Sequence, residues 1–288
     1  MQTISPMTEQ LIDLAIAEDL CAGDFTTDAI FDDKACSKGR LVAKSDLVLC
    51  GQHVFRCVVD KIQARCFGTF TPVSICFAFE DGNFVPKGTT LAEFSGATQV
   101  LLKAERTALN LLQHLSGVAT HTRAIVDILG DKIRLTNTRK TLPGMRELQH
   151  YAVRCGGGHS HRFNLGAGVM IKDNHIAAAG SIEKAVKLAR NFAPHTLRIE
   201  VEVTNLHEVD EALAAGADIL MLDNMSPDTM AEACQRIQKR ALIEISGNMT
   251  IQRAEQIRHI DVYCVSCGAL THSSHAADIS MQFTGIQA

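Results

Sequence analysis

Glu202, Asp223, Ser246 and Gly268 close four short apolar runs at spacings of 21, 23 and 22 residues. The runs are "LRIEVEV", "ADILMLD", "ALIEIS" and "DVYCVSC". Helical stretches follow them in turn: "NLHEVDEALAAG", "SPDTMAEACQRIQKR", "TIQRAEQIRHI" and "GALTHSS". One strand and one helix per repeat is the pattern of parallel strands, because each helix carries the chain back to the start of the next strand. A chain with this repeat folds as a parallel α/β sheet or barrel. In a barrel the C-terminal strand ends converge on one mouth, where active sites lie. Two carboxylates, a hydroxyl and a glycine turn would then share a rim.

The first hundred residues have a different rhythm. "TEQLIDLAIAEDL" repeats at helical period, with Thr8 as the expected cap. "GDFTTDAI" reads as a polar loop. From Gly39 to about Phe94 come short alternating runs broken by Gly and Pro, as in "EDGNFVPKGTTL". They imply a mixed α+β unit with an antiparallel sheet. "TQVLLKAERTALNLLQHLSGVATHT" is a long helix whose apolar face includes Leu101, Leu102, Ala108, Leu109, Leu112 and Leu115. The expected organisation is an N-terminal α+β sandwich domain over 1–115, a parallel α/β barrel over 116–275, and a segment over 276–288 that returns to the first domain.

The 288 residues are 46% hydrophobic, enough for one large core or two smaller ones. A net charge of -4 gives no general reason to bind nucleic acid or an anionic membrane. No apolar run reaches the roughly 20 residues of a membrane span. "MQTISPMTEQ" lacks the basic then apolar pattern of a secretory signal. The ten cysteines are scattered through apolar surroundings, as expected of small core residues in a reducing cytoplasm. Cys264 and Cys267 have redox or zinc spacing. On a strand, however, residues three apart face opposite ways, and no second pair completes four ligands.

Against this slightly acidic background, residues 139–175 hold six Lys or Arg, four His and only two acids. "IRLTNTRK" reads as a strand ending in Arg139 and Lys140, and "VMIKDN" as one ending near Lys172. Between them lies "RCGGGHSHR", where three glycines allow close backbone approach and His159, His161 and Arg162 follow. Arg offers a planar fork for a carboxylate, and Lys a compact charge. Converging on one mouth, these groups suit a ligand with several anionic groups; dispersed, they are a solvated basic loop.

Glu202 and Asp223 can likewise be solvated strand ends. Beside a basic pocket they would instead hold Mg²⁺ together with a substrate's phosphates. "EISGNMT" and "VSCGALT" each run from strand through small residues into a helix, an arrangement that presents N–H groups to a phosphate.

These stretches together resemble the quinolinate phosphoribosyltransferases nearly end to end. The resemblance runs through "EDLCAGDFTTDAI", "AERTALNLLQHLSGVAT", "TRKTLPGMRELQHYAVRCGGGHSHR", "MIKDNHI", "VEV", "MLDNMSP", "ISGN" and "GALTHS". It implies a type II phosphoribosyltransferase-like fold. It also implies transfer of phosphoribosyl from phosphoribosyl diphosphate to quinolinate with loss of CO2, giving nicotinate mononucleotide. Arg139, His161, Arg162 and Arg106 would bind the quinolinate carboxylates. Lys140 and Lys172 would lie between dicarboxylate and diphosphate. Glu202 and Asp223 would serve the ribose and Mg²⁺, and Ser246, Gly247, Asn248 and Gly268 the 5′-phosphate. The resemblance further implies a homodimer, or an oligomer of dimers, whose active site takes Arg106 from the neighbouring chain.

Two positions depart from the family pattern. Asn248 stands where a second glycine is common, and Asn is the residue best able to replace it in a left-handed turn. Cys267 stands for an aliphatic residue, either as a bystander or as an oxidisable thiol. Other readings remain at this point. A sensor of pyridine carboxylates would not need the acids at the ribose. A nicotinate-specific transferase would not need so many cations.

Overall fold

The computed structural model describes residues 4–66, 68 and 70–287. Ser5, rather than Thr8, caps the first helix, α1 (Pro6–Leu20): its hydroxyl accepts the Thr8 N–H at 3.3 Å, and Pro6 is preset for the first turn. The stretch read as a polar loop contains a short helix, α2 (Phe25–Ile30), because Asp24 accepts the Thr27 N–H at 3.0 Å. The chain continues through β1 (Cys36–Ala43), β2 (Leu47–Val48), α3 (Gln52–Arg65), β3 (Ser74–Phe77), β4 (Phe84–Val85) and β5 (Thr90–Ala97) into α4 (Thr98–Leu129). Next come β6 (Arg134–Thr136), α5 (Arg146–Cys155), β7 (Val169–Ile171), α6 (Asp173–Ala179) and α7 (Ile182–Phe192). The strand–helix repeat then runs β8 (Ile199–Val203), α8 (Leu206–Ala214), β9 (Ile219–Asp223), α9 (Pro227–Ile237), β10 (Leu242–Ser246), α10 (Ile251–Ile257), β11 (Cys264–Ser266) and α11 (Ala269–His272). β12 (Ile279–Gln287) is last.

Two compact units emerge. The first takes the described residues up to Arg123, Leu142–Gly157 and the described residues from Ser274 onward. Its sheet has the order β12-β1-β5-β3, with antiparallel pairings throughout. The C-terminal strand thus pairs with β1, which is the return expected of the final segment; Ala288 lies outside the described residues. Along α4, Leu101, Ala108, Leu109, Leu112 and Leu115 are buried, Leu102 is half-buried and Arg106 is exposed. α3 went unread in the sequence. Asp81, thirty residues away, caps it by accepting the Gly51 N–H at 3.0 Å and the Gln52 N–H at 3.3 Å.

The second unit takes Ala124–Thr141 and Gly158–Ser273. Its six strands are parallel in the order β6-β11-β10-β9-β8-β7. β6 and β11 are shorter than their apolar runs, so Arg139 and Lys140 lie on the loop beyond β6 rather than at its end. The sheet curls back toward closure. His159 donates to Leu135 O at 2.7 Å and accepts from the Asn137 N–H at 3.1 Å, making a single parallel bridge on the open side of β6. The remaining seam lies between this segment and β7. Arg162 spans it, its Nη1 donating to Gly168 O at 3.0 Å.

Period-2 alternation sorts the strands into two faces. Val201, Val203, Leu220, Leu222, Ile243 and Ile245 are buried on one. Glu200, Glu202, Met221, Asp223, Glu244 and Ser246 share the other. Register places Glu202 opposite Met221 and Asp223 opposite Ser246. Among the described residues no helix is long and apolar enough to cross a membrane.

Candidate active site

A cavity of about 270 Å³ opens in the second unit over the polar face of the sheet. Arg139, Lys140, His161, Arg162, Lys172 and Ser246 line it, with Glu244, Met170, Met221, Thr138 and Ser266. Six of the residues singled out in the sequence therefore meet in one place. The basic loop is not simply a solvated surface. Burial, and after it the positive charge of Arg139, lowers the pKa of Arg162 below the usual guanidinium range. Two cations held this close are a standing repulsion that a bound anion would relieve.

The other expected residues connect to the cavity through its lining. Lys172 is ion-paired with Glu202. Its place is set by the "KDNH" sequence: Lys172 caps α6, and His175 Nδ1 accepts the Lys172 backbone N–H at 3.0 Å. Asp223 accepts from Asn224 Nδ2 at 2.7 Å. Asn224 in turn donates its N–H to Ser246 O at 3.1 Å and accepts from Asn248 Nδ2 at 3.2 Å. It ties the end of β9 to the turn after β10. Within that turn Gly247 has φ +99°, and a Cβ there would stand 2.2 Å from Asn224 Oδ1. Asn248 adopts φ 45°, the left-handed conformation expected of it in place of glycine. Gly268 packs closely against Lys140: a Cβ there would lie 3.0 Å from Lys140 Cδ, so that side chain would have to shift. The backbone of Lys140 is anchored there by Thr271, whose hydroxyl donates to Lys140 O at 2.7 Å. Arg106 belongs to the first unit and is exposed.

Two acids of the site were missed in the sequence. Glu200 and Glu244 are buried beneath the cations, with Oε2 atoms 3.5 Å and 3.3 Å from His161 Nε2. Burial pulls His161 toward neutrality, but hydrogen bonds and charge from both acids hold its pKa up at about 10. Nδ1 faces the Arg162 backbone N–H at 2.7 Å, which opposes a second proton. Both acids face Nε2, and their bonds and charge are what raise the pKa of the ring above its ordinary value. Burial raises the pKa of Glu200, and the charge of Glu244 adds to it. Glu244 is lowered overall: burial works against ionisation, and the bond and charge of His161 outweigh it. Oε1 of each acid is buried without a hydrogen-bond partner. A signal for them existed in "RIEVEV" and "ALIEIS", where a glutamate interrupts an otherwise apolar buried strand.

Cys264 and Cys267 hold no common ligand position. The Cys264 thiol donates to Glu244 Oε2 at 3.2 Å, while Cys267 Sγ faces Met249 O at 3.8 Å. Burial raises both thiols above their usual range. Cys267 is thus a packed residue beside the turn.

A parallel α/β unit with clustered cations, strand-end acids and a small-residue turn over one sheet face has the parts that a phosphoribosyltransferase of the α/β class needs. Models of the quinolinate phosphoribosyl transferase N-terminal and C-terminal domains match residues 24–116 and 118–282. A probable nicotinate-nucleotide pyrophosphorylase (carboxylating) of Bacillus subtilis is 40% identical over 277 residues, covering 96% of this chain and 93% of that one. The Mycobacterium leprae nicotinate-nucleotide pyrophosphorylase (carboxylating) is 40% identical over 272 residues, covering 93% and 94%. The crystal structure of NadC from Streptococcus pyogenes superposes with a TM-score of 0.91 at 41% identity, over 100% of this chain and 99% of that one. The chain belongs to the quinolinate phosphoribosyl transferase family. Its activity is that of a carboxylating nicotinate-nucleotide pyrophosphorylase, forming nicotinate mononucleotide from quinolinate in NAD biosynthesis.

Proposed function

We propose that the 270 Å³ cavity is where this reaction takes place. The observation that carries the reading is the crowding of Arg139 and Arg162 in one pocket with Lys140 and Lys172. Arg139 and Arg162 bind the quinolinate carboxylates, with His161 beside them on its two acids. Lys140 and Lys172 stand between the dicarboxylate and the departing diphosphate. Lys172 is held by Glu202 and can exchange that partner for a diphosphate oxygen. Ser246, Gly247, Asn248 and Gly268 hold the 5′-phosphate of phosphoribosyl diphosphate.

Bond breaking at the anomeric carbon leaves a cation on the ribose and charge on the diphosphate. Glu202 and Asp223 face the first, and the lysines the second. The pyridine nitrogen attacks and becomes cationic. That cation withdraws the electron pair of the adjacent carbon–carboxylate bond, and CO2 leaves. The chain's task is to orient the ring and avoid over-stabilising the carboxylate that departs.

Glu202 and Asp223 fit Mg²⁺ by chemistry. Both are hard oxygen donors, on one face of adjacent strands. Bound there, the ion would neutralise diphosphate charge. The functional division runs 1–115, 116–275 and 276–288, supported by family models that meet between residues 116 and 118. The working form is a homodimer that lends Arg106 across subunits, and its location is the cytoplasm.

The test is CO2 release from labelled quinolinate. Release should require phosphoribosyl diphosphate and Mg²⁺ together. CO2 formed without the sugar diphosphate would overturn the order of steps, because no pyridinium would yet exist.

A further inference from the structure

The cysteine of "RCGGGHSHR" plays no part in the reaction above, yet the first unit gives it a partner. Cys155 ends α5, and Cys50 lies between β2 and α3. Their Sγ atoms and a carboxylate oxygen of Asp81 all lie within 4.8 Å of one another. The two thiols are therefore neighbours, with the Tyr151 hydroxyl on the same carboxylate. Asp81 is already committed: it accepts the Gly51 and Gln52 N–H groups that cap α3, and the Tyr151 hydroxyl at 2.8 Å. A metal drawing on this carboxylate would compete with the helix cap, so the arrangement favours chemistry between the sulfurs.

The two thiols are unlike. Cys50 is fully buried, and burial raises its pKa well above the usual range. Cys155 is half-buried. The adjacent Cys50 thiol lowers its pKa, against burial and the nearby Asp81 charge. Tyr151 and Asp81 also line a cavity of about 1020 Å³, so a small solute can reach their side of the pair. A half-buried sulfur whose pKa is lowered, backed by a fully buried one whose pKa is raised, is the layout of an attacking and a resolving cysteine.

We propose that Cys155 and Cys50 form an oxidisable dithiol, attacked at Cys155 by a hydroperoxide and closed to a disulfide by Cys50. The Cys155 thiolate takes the terminal peroxide oxygen: an S–O bond forms, the O–O bond breaks, and with hydrogen peroxide water leaves. The Cys50 sulfur then attacks Cys155: the S–S bond forms, the S–O bond breaks, and a second water carries off the Cys50 proton. Two thiols are oxidised and one peroxide is reduced. A thiol reductant reverses the bond by exchange.

Full-length reduced protein is treated with one equivalent of hydrogen peroxide, its remaining thiols are alkylated, and its peptides are mapped by mass spectrometry. The 50–155 cross-link should form before any modification of the exposed Cys21 and Cys76. Cys50→Ser should stop at a Cys155 sulfenic acid that dimedone traps, and Cys155→Ser should leave Cys50 reduced. Equal reactivity of Cys155 and Cys21 in the parent would overturn the proposal, and the parent measurement suffices if Cys50→Ser misfolds. One equivalent of zinc bound by the reduced parent, and lost in both serine variants, would also overturn it in favour of a metal site.

Discussion

Nε2 of His161 lies 3.3 Å from Oε2 of Glu244, an acid only 3% exposed, on the floor of a cavity that otherwise presents positive charge. With Glu200, this acid sets the charge state of the ring. The folded pKa of His161, about 10, stands above the unfolded reference of 6.5. Its pairing therefore contributes full stability below pH ~6.5 and loses it as pH rises through about 10. Melting temperature should fall across that window. The slope should flatten in His161→Gln/Glu244→Gln, which removes the ring and one acid together. Parallel curves for parent and double variant would show that the pairing contributes nothing to folding.

Arg139→Ala or Arg162→Ala should weaken quinolinate binding while largely sparing phosphoribosyl diphosphate. Removing one partner of a desolvated charged hydrogen bond costs on the order of 2–5 kcal/mol. Arg162→Ala carries a second effect, because its side chain spans the open seam of the sheet through Gly168 O. It should lower the melting temperature more than Arg139→Ala does. Calorimetry showing the opposite ligand selectivity would place these arginines on the diphosphate.

Gly247→Ala should be harmful for two independent reasons. The position has φ +99°, and the new methyl would meet Asn224 Oδ1 at 2.2 Å. Holding a non-glycine residue in such a region costs about 1–3 kcal/mol, before the clash is relieved. Displacing Asn224 also releases its hydrogen bond to Asp223. The KM for phosphoribosyl diphosphate should therefore rise together with the loss of stability. A destabilised variant with unchanged KM would separate the turn from the phosphate.

What could be read in advance followed from periodicity. Glu202, Asp223, Ser246 and Gly268 were legible as strand ends because βα repeats impose a constant spacing, and the sheet joins them in that order. The long helix was legible from its apolar pattern, whereas nothing in the pattern of the last segment names β1, the strand it pairs with. Less legible was anything set by a distant partner. The α3 cap comes from Asp81, and α2 depends on a single Asp24 bond that local composition did not favour over a loop. Glu200 and Glu244 escaped notice because a glutamate in a strand reads as solvated. Both are buried, and their partner His161 comes from a loop some forty residues before Glu200. Asn224 has no family of spacings to betray it; its role appears only when the turns after β9 and β10 are seen side by side. Among the cysteines, spacing marks only Cys264 and Cys267, whose strand geometry argues against a shared ligand, while the thiols that lie close together are Cys50 and Cys155, which no spacing connects.

Arg106 gives the sharpest test of subunit sharing. It is exposed in the middle of α4, beside Glu105, whose pKa burial raises and the Arg106 charge lowers. An exposed arginine next to an acid is ordinary on one chain. In the proposed dimer it completes the neighbour's quinolinate site, so each site needs Lys172 from one chain and Arg106 from the other. Arg106→Ala and Lys172→Ala should each be inactive alone. When the two are mixed with subunit exchange, half the dimers are hybrids. In each hybrid one site receives both substitutions and the other receives neither. Activity should therefore recover to roughly a quarter of the parent value. If both residues served the same chain's site, every site would remain broken and mixing would restore nothing. Native mass spectrometry establishes that exchange has occurred, so an inactive mixture containing hybrids would exclude the shared site.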